Sequence, residues 1–344
     1  MQGVVIHAPK DLRIEPVEVR TPGPGEVRVS IMAGGICGSD LHYYNHGGTA
    51  TIRIREPMTL GHEVAGIVAE VGEGVTGLSV GTRVAVNPSR TCRRCEYCAA
   101  GMQNHCIDMH FIGSAMRMPH DQGGFRQSLT MRCEQMFPIV DAVTFGEAAM
   151  AEPLAVCLHA ARIAGPLLGK KVLITGSGPI GVLTAICARL GGAREIVITD
   201  LHDFPLQIAG QCGATRTINL KTEPDAMPDY AAGKGYFDVH FEASGNPLAL
   251  QQALPAIRPR GVVVQLGLGG EFAIPINALI TREIQLLGSF RFDADFALAV
   301  DLLNSGRMNV KPLITAITPF EDARRAFENA NDRSSAMKVQ LSFS

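Results

Sequence analysis

The stretch Lys171-Val-Leu-Ile-Thr175-Gly176-Ser-Gly178-Pro179-Ile180-Gly181 decides the fold of this chain. Its first five residues are a short apolar run rich in β-branched side chains, the pattern of a buried strand. Residues 180–190 are apolar over a helix-length run. Between them stands G-x-G-x-x-G. The first Gly permits the tight turn, the second lets a pyrophosphate approach the backbone, and the third lets helix pack on strand. Alone the pattern is weak; between a buried strand and an apolar helix it is specific. Phosphates would sit at the helix N-terminus on free N–H groups and the positive dipole end. Gly176, Gly178, Pro179, Ile180 and Gly181 form the candidate cofactor turn. The next strand, 195–199, runs into Asp200, 19 residues after Gly181. A carboxylate at that distance accepts hydrogen bonds from a ribose 2′-OH and repels a 2′-phosphate. Asp203 adds negative charge, and the next basic residue is the distant Arg216. NAD is therefore expected ahead of NADP, with NADP use left open.

Working outward, strands and helices alternate: helix 206–212, strand 237–242, helix 248–257, strand 261–266. That alternation implies right-handed βαβ crossovers and a doubly wound parallel sheet, an α/β fold. Upstream of about residue 152 the texture differs. Runs 26–32 and 64–71 are short, β-branched and bounded by Gly or Pro, as in a compact β-rich domain. Residues 87–120 lack period and are rich in Cys, Arg, Met and His. Such a long irregular segment is usually functional or held by a metal or crosslink. After about residue 288 the alternation weakens into helices 294–304 and 321–329 and a last strand, 338–343.

Composition bounds the function. A chain of 344 residues argues for about two domains. A formal charge of −2, from 31 Lys and Arg against 33 Asp and Glu, leaves no electrostatic footprint for nucleic acid or an acidic membrane. The start, Met1-Gln-Gly-Val-Val-Ile-His7, has no basic segment followed by a long apolar one, so a cytoplasmic location is expected. The longest apolar stretch is broken by the Gly turn, so no membrane span is expected.

Nine cysteines remain to be explained. Cys92, Cys95, Cys98 and Cys106 form C-x2-C-x2-C-x7-C, and four thiolates at that spacing can close a tetrahedral zinc site. An iron–sulfur cluster also suits the count, and a disulfide pair is disfavoured in a reducing compartment. Cys133, Cys157, Cys187 and Cys212 are scattered and read as small buried hydrophobes. Cys37 lies in a turn-forming stretch, Gly34-Gly-Ile-Cys37-Gly-Ser39-Asp40. With His62 in Gly61-His62-Glu63 and Glu152 in Ala151-Glu152-Pro153, it offers ligands for a catalytic zinc with an open position. Spacing alone does not bring the three together. Singly, His62 reads as a hydrogen-bonded structural His, and Glu152 before Pro as a helix start.

Taken in order, Cys37-Gly-Ser39-Asp40, Gly61-His62-Glu63, the four-Cys lobe, Glu152-Pro-Leu and the Gly turn resemble the zinc-dependent medium-chain alcohol and polyol dehydrogenases over nearly the whole chain. Glu152 is similar to the sorbitol dehydrogenase branch, where Glu replaces a Cys. The resemblance implies a GroES-like β-rich catalytic domain from residues 1–152 and 289–344, with a structural-zinc lobe at about 88–120. It also implies a Rossmann NAD-binding domain at 153–288. It implies one catalytic zinc on Cys37, His62, Glu63 and Glu152, with the two carboxylates bound directly or through water. A structural zinc is implied on Cys92, Cys95, Cys98 and Cys106. Ser39 matches the hydroxyl that takes the substrate proton, and His42 the outer member of that relay. Leu266, Gly267, Ser289 and Arg291 match segments lining the nicotinamide half, and Arg291 also matches an Arg reaching polyol substrate. The implied substrate is a small sugar acid or polyol, oxidised at a secondary alcohol. A substrate carboxylate would favour a cationic partner, with Arg291 and Arg117 as candidates. A homo-oligomer, dimer or tetramer, is implied, with 266–271 and 274–280 as candidate interface segments. A zinc-free reductase of the same fold would lack the Cys/His/Glu set. A zinc-stabilised binding protein without catalysis would not need Ser39 or the nucleotide turn.

Overall fold

The computed structural model describes residues 1–49 and 52–343. Their packing separates two units. One takes the chain up to Glu152, then Phe296–Asp332 and the segment from Lys338. The other takes Pro153–Asp295 and Arg333–Met337.

In the second unit, six strands form an all-parallel sheet. Their order is Arg216–Asn219, Glu195–Asp200, Lys171–Thr175, Phe237–Glu242, Ile257–Gln265 and Gln285–Gly288. Numbered along the chain this is 3-2-1-4-5-6, the doubly wound order whose ligand crevice lies at the strand carboxyl ends where the order reverses. That reversal falls between Lys171–Thr175 and Phe237–Glu242. All six residues of Phe237–Glu242 are buried. This is the continuous burial of a central parallel strand, even though the run alternates Phe237, Val239 and Phe241 with Asp238, His240 and Glu242; the three polar side chains are buried with hydrogen-bond partners. Val172, Leu173, Ile174, Val197, Phe237 and Val263 supply the packed interior.

One expectation is corrected here. The helix expected at 248–257 ends early: the α-helix is Pro247–Ala253, a 3-10 turn covers Leu254–Ala256, and Ile257 already opens the next strand. Pro255 has no N–H to continue the ladder, which forces the break. The strand therefore spans Ile257–Gln265 rather than 261–266. The strands Arg216–Asn219 and Gln285–Gly288 and the helix Ala226–Ala231 are too short to leave a periodic signal.

The first unit is β-rich. Its main sheet runs Met136–Pro138, Arg83–Val86, Glu63–Val71, Glu26–Gly35, Lys338–Ser342 and Ile314–Pro319, and Ser128–Arg132 also pairs with Glu26–Gly35. Along Glu26–Gly35, Val27, Val29 and Ile31 alternate inward, the half-buried strand pattern. The C-terminal strand Lys338–Ser342 lies antiparallel to Glu26–Gly35, with Gln340 opposite Gly35. It thereby places Lys338 beside the turn that carries Cys37. Among the described residues, no helix is long and apolar enough to cross a membrane.

Candidate active site

Cys37 follows the strand Glu26–Gly35 and caps the helix Gly38–His46. Its backbone N–H donates to Asp40 Oδ2 at 2.9 Å, three residues on. The other oxygen of Asp40 accepts from the Gly61 N–H at 3.2 Å and lies 3.9 Å from His62 Nδ1. One fully buried carboxylate thus joins the Cys37 turn to the Gly61–His62 turn. Burial, partly opposed by His62, raises the Asp40 pKa.

These contacts bring the Cys37 thiol, an imidazole nitrogen of His62 and a Glu63 oxygen within 4.8 Å of one another. Glu63 is fully buried, and Lys338 Nζ donates to both its oxygens, at 2.7 and 2.8 Å. The same ammonium donates to the Ile36 carbonyl at 3.1 Å, one residue before Cys37. Gly35 makes room for this pairing, since a Cβ there would lie 2.1 Å from Glu63 Oε2. Burial opposes the charge on Lys338, but Glu63 and Cys37 outweigh it and hold its pKa above the ordinary value. Burial, aided by Glu63, pushes the Cys37 thiol up to about 11.

Glu152 stands in the first turn of the helix Ala151–Ala164. It lies outside the 4.8 Å group but within electrostatic reach of it. Burial raises its pKa to about 8; His62 opposes the rise, while Glu63 and Cys37 add to it. A half-buried thiol beside a buried imidazole and buried carboxyls is the donor chemistry a divalent zinc ion satisfies. The residues fit such an ion. Ser39 and His42 are exposed on the helix Gly38–His46, three positions apart and so on one face. The Ser39 hydroxyl, beside Cys37, lowers the pKa of that thiol against the effect of burial.

The four-Cys lobe is built from short pieces around the helix Glu96–Ala99, which Cys95 precedes. The sulfurs of Cys92, Cys95, Cys98 and Cys106 all lie within 4.8 Å of one another, with Cys92 and Cys98 at 4.0 Å. A tetrahedral zinc with Zn–S of ~2.3 Å needs S···S edges of about 3.8 Å, close to that spacing. All four thiols are free. Backbone N–H groups of Cys98 and Ile107 pull the Cys95 thiol down to about 6, favouring the thiolate a metal requires.

In the second unit each Gly of the turn has its own reason. Gly176 has φ +90, and a Cβ there would meet Ser244 at 2.8 Å. Gly181 would strike the Gly176 carbonyl at 1.9 Å. Gly178, which caps the helix Pro179–Leu190, meets nothing within 4 Å and is open to a ligand. Asp200 Oδ2 accepts from the Ser177 N–H at 2.7 Å, so the acid touches the turn itself. Arg216 is engaged with Tyr230 and Glu223. Leu266 and Gly267 N–H groups both donate to the Glu242 carbonyl at 2.9 Å, and Ser289 N–H donates to Gln265 O at 3.0 Å. Arg291 has φ +55 and lies against the Phe290 ring. Arg117 pairs with Asp108 at 2.7 Å.

Sequence reasoning missed three residues of this picture. Asp40 stood in a quoted motif and, three residues after an N-cap, carried the signal of a capping box. Lys338 and Glu242 left none: each is a polar residue in a strand of mixed composition whose burial comes from the sheet around it, and the partner of Lys338 is 275 residues away.

A thiol, imidazole and carboxyl set can hold a metal that polarises an alcohol oxygen, but none of these groups accepts a hydride; a dinucleotide does. A chain carrying both is of the class of metal-assisted, nicotinamide-dependent oxidoreductases. Residues 23–141 match the family model described as alcohol dehydrogenase GroES-like domain, and residues 179–305 the one described as zinc-binding dehydrogenase. The L-idonate 5-dehydrogenase (NAD(P)(+)) of Escherichia coli K12 is 45% identical over 92% of this chain and 91% of its own length. The sorbitol dehydrogenase of Gallus gallus is 38% identical over 98% of this chain and 95% of its own. The crystal structure of L-idonate 5-dehydrogenase from Escherichia coli K-12 superposes with a TM-score of 0.93 at 42% identity, covering 99% of this chain and 97% of that one. The chain belongs to the medium-chain zinc dehydrogenase family, among its polyol and sugar-acid dehydrogenases.

Proposed function

We propose that the chain oxidises the C5 hydroxyl of L-idonate with NAD, reversibly, giving 5-keto-D-gluconate. The observation that carries this is the Cys37/His62/Glu63 set, on a chain 45% identical to an L-idonate 5-dehydrogenase. The segments Leu41-His-Tyr-Tyr44, Phe111-Ile-Gly-Ser-Ala-Met116, His120-Asp-Gln-Gly-Gly124 and Gly288-Ser-Phe-Arg-Phe292 add to the likeness. The second reading, a sorbitol or other polyol dehydrogenase, is supported by the 38% identity to the chicken enzyme. L-Threonine is a further candidate substrate.

Residues 1–152 and 289–344 form the catalytic domain in this reading, and 153–288 the NAD-binding domain. Cys37 and His62 hold the catalytic zinc, with Glu152 and Glu63 as its carboxylates. When bound, zinc supplies a Lewis acid that acidifies an alcohol oxygen and polarises a ketone. The Ser39 hydroxyl takes the alcohol proton, and His42, on the same helix face, passes it to water. Cys92, Cys95, Cys98 and Cys106 hold a second, structural zinc and fix residues 88–120. Gly178 and the helix N-terminus receive the pyrophosphate, and Leu266, Gly267 and Ser289 line the nicotinamide. Arg291 receives the substrate carboxylate. A cytoplasmic homo-oligomer, dimer or tetramer, completes the reading.

The test is reduction of NAD with L-idonate, sorbitol, L-threonine and D-gluconate, and NADH oxidation with 5-ketogluconate. Turnover is expected fastest with L-idonate and 5-ketogluconate. No turnover with either sinks the substrate assignment, and no turnover with any substrate favours a binding protein. Asp200→Ala is expected to raise KM for NAD about tenfold, by loss of a charged hydrogen-bond acceptor, and to narrow the preference over NADP. An unchanged ratio of kcat/KM for the two cofactors would remove Asp200 from that role.

A further inference from the structure

We infer that Glu242 is a positioning residue for the cofactor: its buried carboxylate draws three backbone segments at the sheet's switch point into the cradle that receives the dinucleotide. This rests on reading the Gly176–Gly181 turn as the dinucleotide site.

Glu242 ends the central strand Phe237–Glu242 and is fully buried. Oε1 accepts from the Ser244 N–H at 2.9 Å, from the Ser244 hydroxyl, and from Thr175 Oγ1 at 3.4 Å. Oε2 accepts from the Gly245 N–H at 3.0 Å and from Gln265 Nε2 at 2.6 Å. Every one of these donors is neutral. A buried carboxylate gathering five neutral donors is a costly arrangement unless all of them are held in place. The donors come from three different segments. Thr175 is the residue before the first Gly of the turn. Ser244 and Gly245 form the loop after the strand. Gln265 ends the neighbouring strand, and its amide also donates to the Gly267 carbonyl at 2.8 Å.

The glycines show how tightly these segments are drawn together. A Cβ on Gly176 would meet the Ser244 backbone nitrogen at 2.8 Å. On Gly267 it would meet the Gly245 nitrogen at 2.1 Å and Glu242 Oε2 at 2.6 Å, and on Gly269 the Gly245 carbonyl at 2.1 Å. The loop Ser244–Gly245 is therefore wedged between the phosphate turn and the segment expected to line the nicotinamide. Glu242 is the group that holds it there. A Gln at this position presents an amide N–H₂ to groups that are themselves donors, so one side of the wedge loses its acceptor.

The test uses zinc-loaded, full-length protein with NADH as probe. Glu242→Gln is expected to raise the NADH Kd about tenfold or more, since hydrogen bonds to a charged acceptor are lost. Zinc per chain should stay at the wild-type value, and kcat at saturating cofactor should fall far less than kcat/KM for NAD. A merely structural role would lower the melting temperature and leave the Kd of the folded fraction unchanged, and that result overturns the proposal. If Glu242→Gln does not fold, Ser244→Ala carries the test, because it removes one donor and leaves the carboxylate. An approximately threefold rise in Kd is then expected for the single neutral partner, and no rise overturns the proposal. Gly178→Val separates the premise: a Cβ there meets no protein atom within 4 Å, and the side chain projects into the space open to a pyrophosphate. Loss of NADH binding there, with none in Glu242→Gln, defeats the Glu242 role alone. Unaltered binding in Gly178→Val defeats the reading of the turn, and the proposal with it.

Discussion

Lys338 has no neighbour in sequence that explains it, yet it governs the charge balance of the candidate zinc site. A lone ammonium at 2% exposure in a buried strand would be prohibitive. Glu63, itself fully buried, makes it tolerable, and the Ile36 carbonyl takes a third N–H. Breaking a buried pair from one side strands a charge, whereas removing both charges does not. Lys338→Met is therefore expected to destabilise the protein by about 3–5 kcal/mol, read from the shift in urea midpoint. The double variant with Glu63→Gln should recover a large part of that loss. Equal or greater destabilisation in the double variant would show that the two side chains are not coupled as their geometry implies. The candidate ligands Cys37 and His62 stood in short motifs, Cys37-Gly-Ser39-Asp40 and Gly61-His62-Glu63, which the family resemblance singled out. The ion pair beside them could not be picked out, because strand order alone brings position 338 next to position 36.

Elements divide in the same way. The strand Lys171–Thr175, the turn and the helix Pro179–Leu190 were legible because three local signals agree: a β-branched run, glycines at set spacing and an apolar helix. The edge strand Gln285–Gly288 and the pieces around the four cysteines were not, because each is only two to four residues long, too short for a pattern to stand out. Within the buried strand Phe237–Glu242, His240 is the element's oddity. It is fully buried, with Nε2 2.9 Å from Thr175 Oγ1, and burial lowers its pKa from 6.5 to about 3. A base whose folded pKa is depressed favours the unfolded chain once the pH falls below the unfolded value. Its contribution to stability is complete above about pH 6.5 and is lost progressively from there toward about pH 3. Between pH 7 and pH 5 the wild type should lose about 2 kcal/mol more unfolding free energy than His240→Gln, which keeps a neutral hydrogen-bonding side chain. Urea titrations at the two pH values measure the difference. Parallel losses in both proteins would mean that His240 is not held neutral by burial.

At the scale of the whole molecule, the two cysteine-bearing clusters make different demands on a metal. The lobe offers four sulfurs within 4.8 Å, a set that could close completely around an ion, as a structural site does. The set on Cys37, His62 and Glu63 mixes donor types, and Lys338 competes for its carboxylate. A mixed set with a place left for substrate releases zinc more readily than a closed thiolate shell. Wild-type protein is accordingly expected to hold one zinc at each cluster. A neutral bidentate chelator should withdraw the first equivalent with loss of turnover and little change in melting temperature. Stronger chelation of the second should lower the melting temperature and open residues 88–120 to proteolysis, because binding free energy at a structural site is folding free energy. Adding back one equivalent of zinc after mild chelation should restore turnover. Metal analysis alongside activity and thermal melts decides the matter. If the melting temperature falls before activity does, the order of the two sites is reversed. If turnover survives with a single zinc retained by the four thiolates, the set on Cys37, His62 and Glu63 is not the catalytic centre.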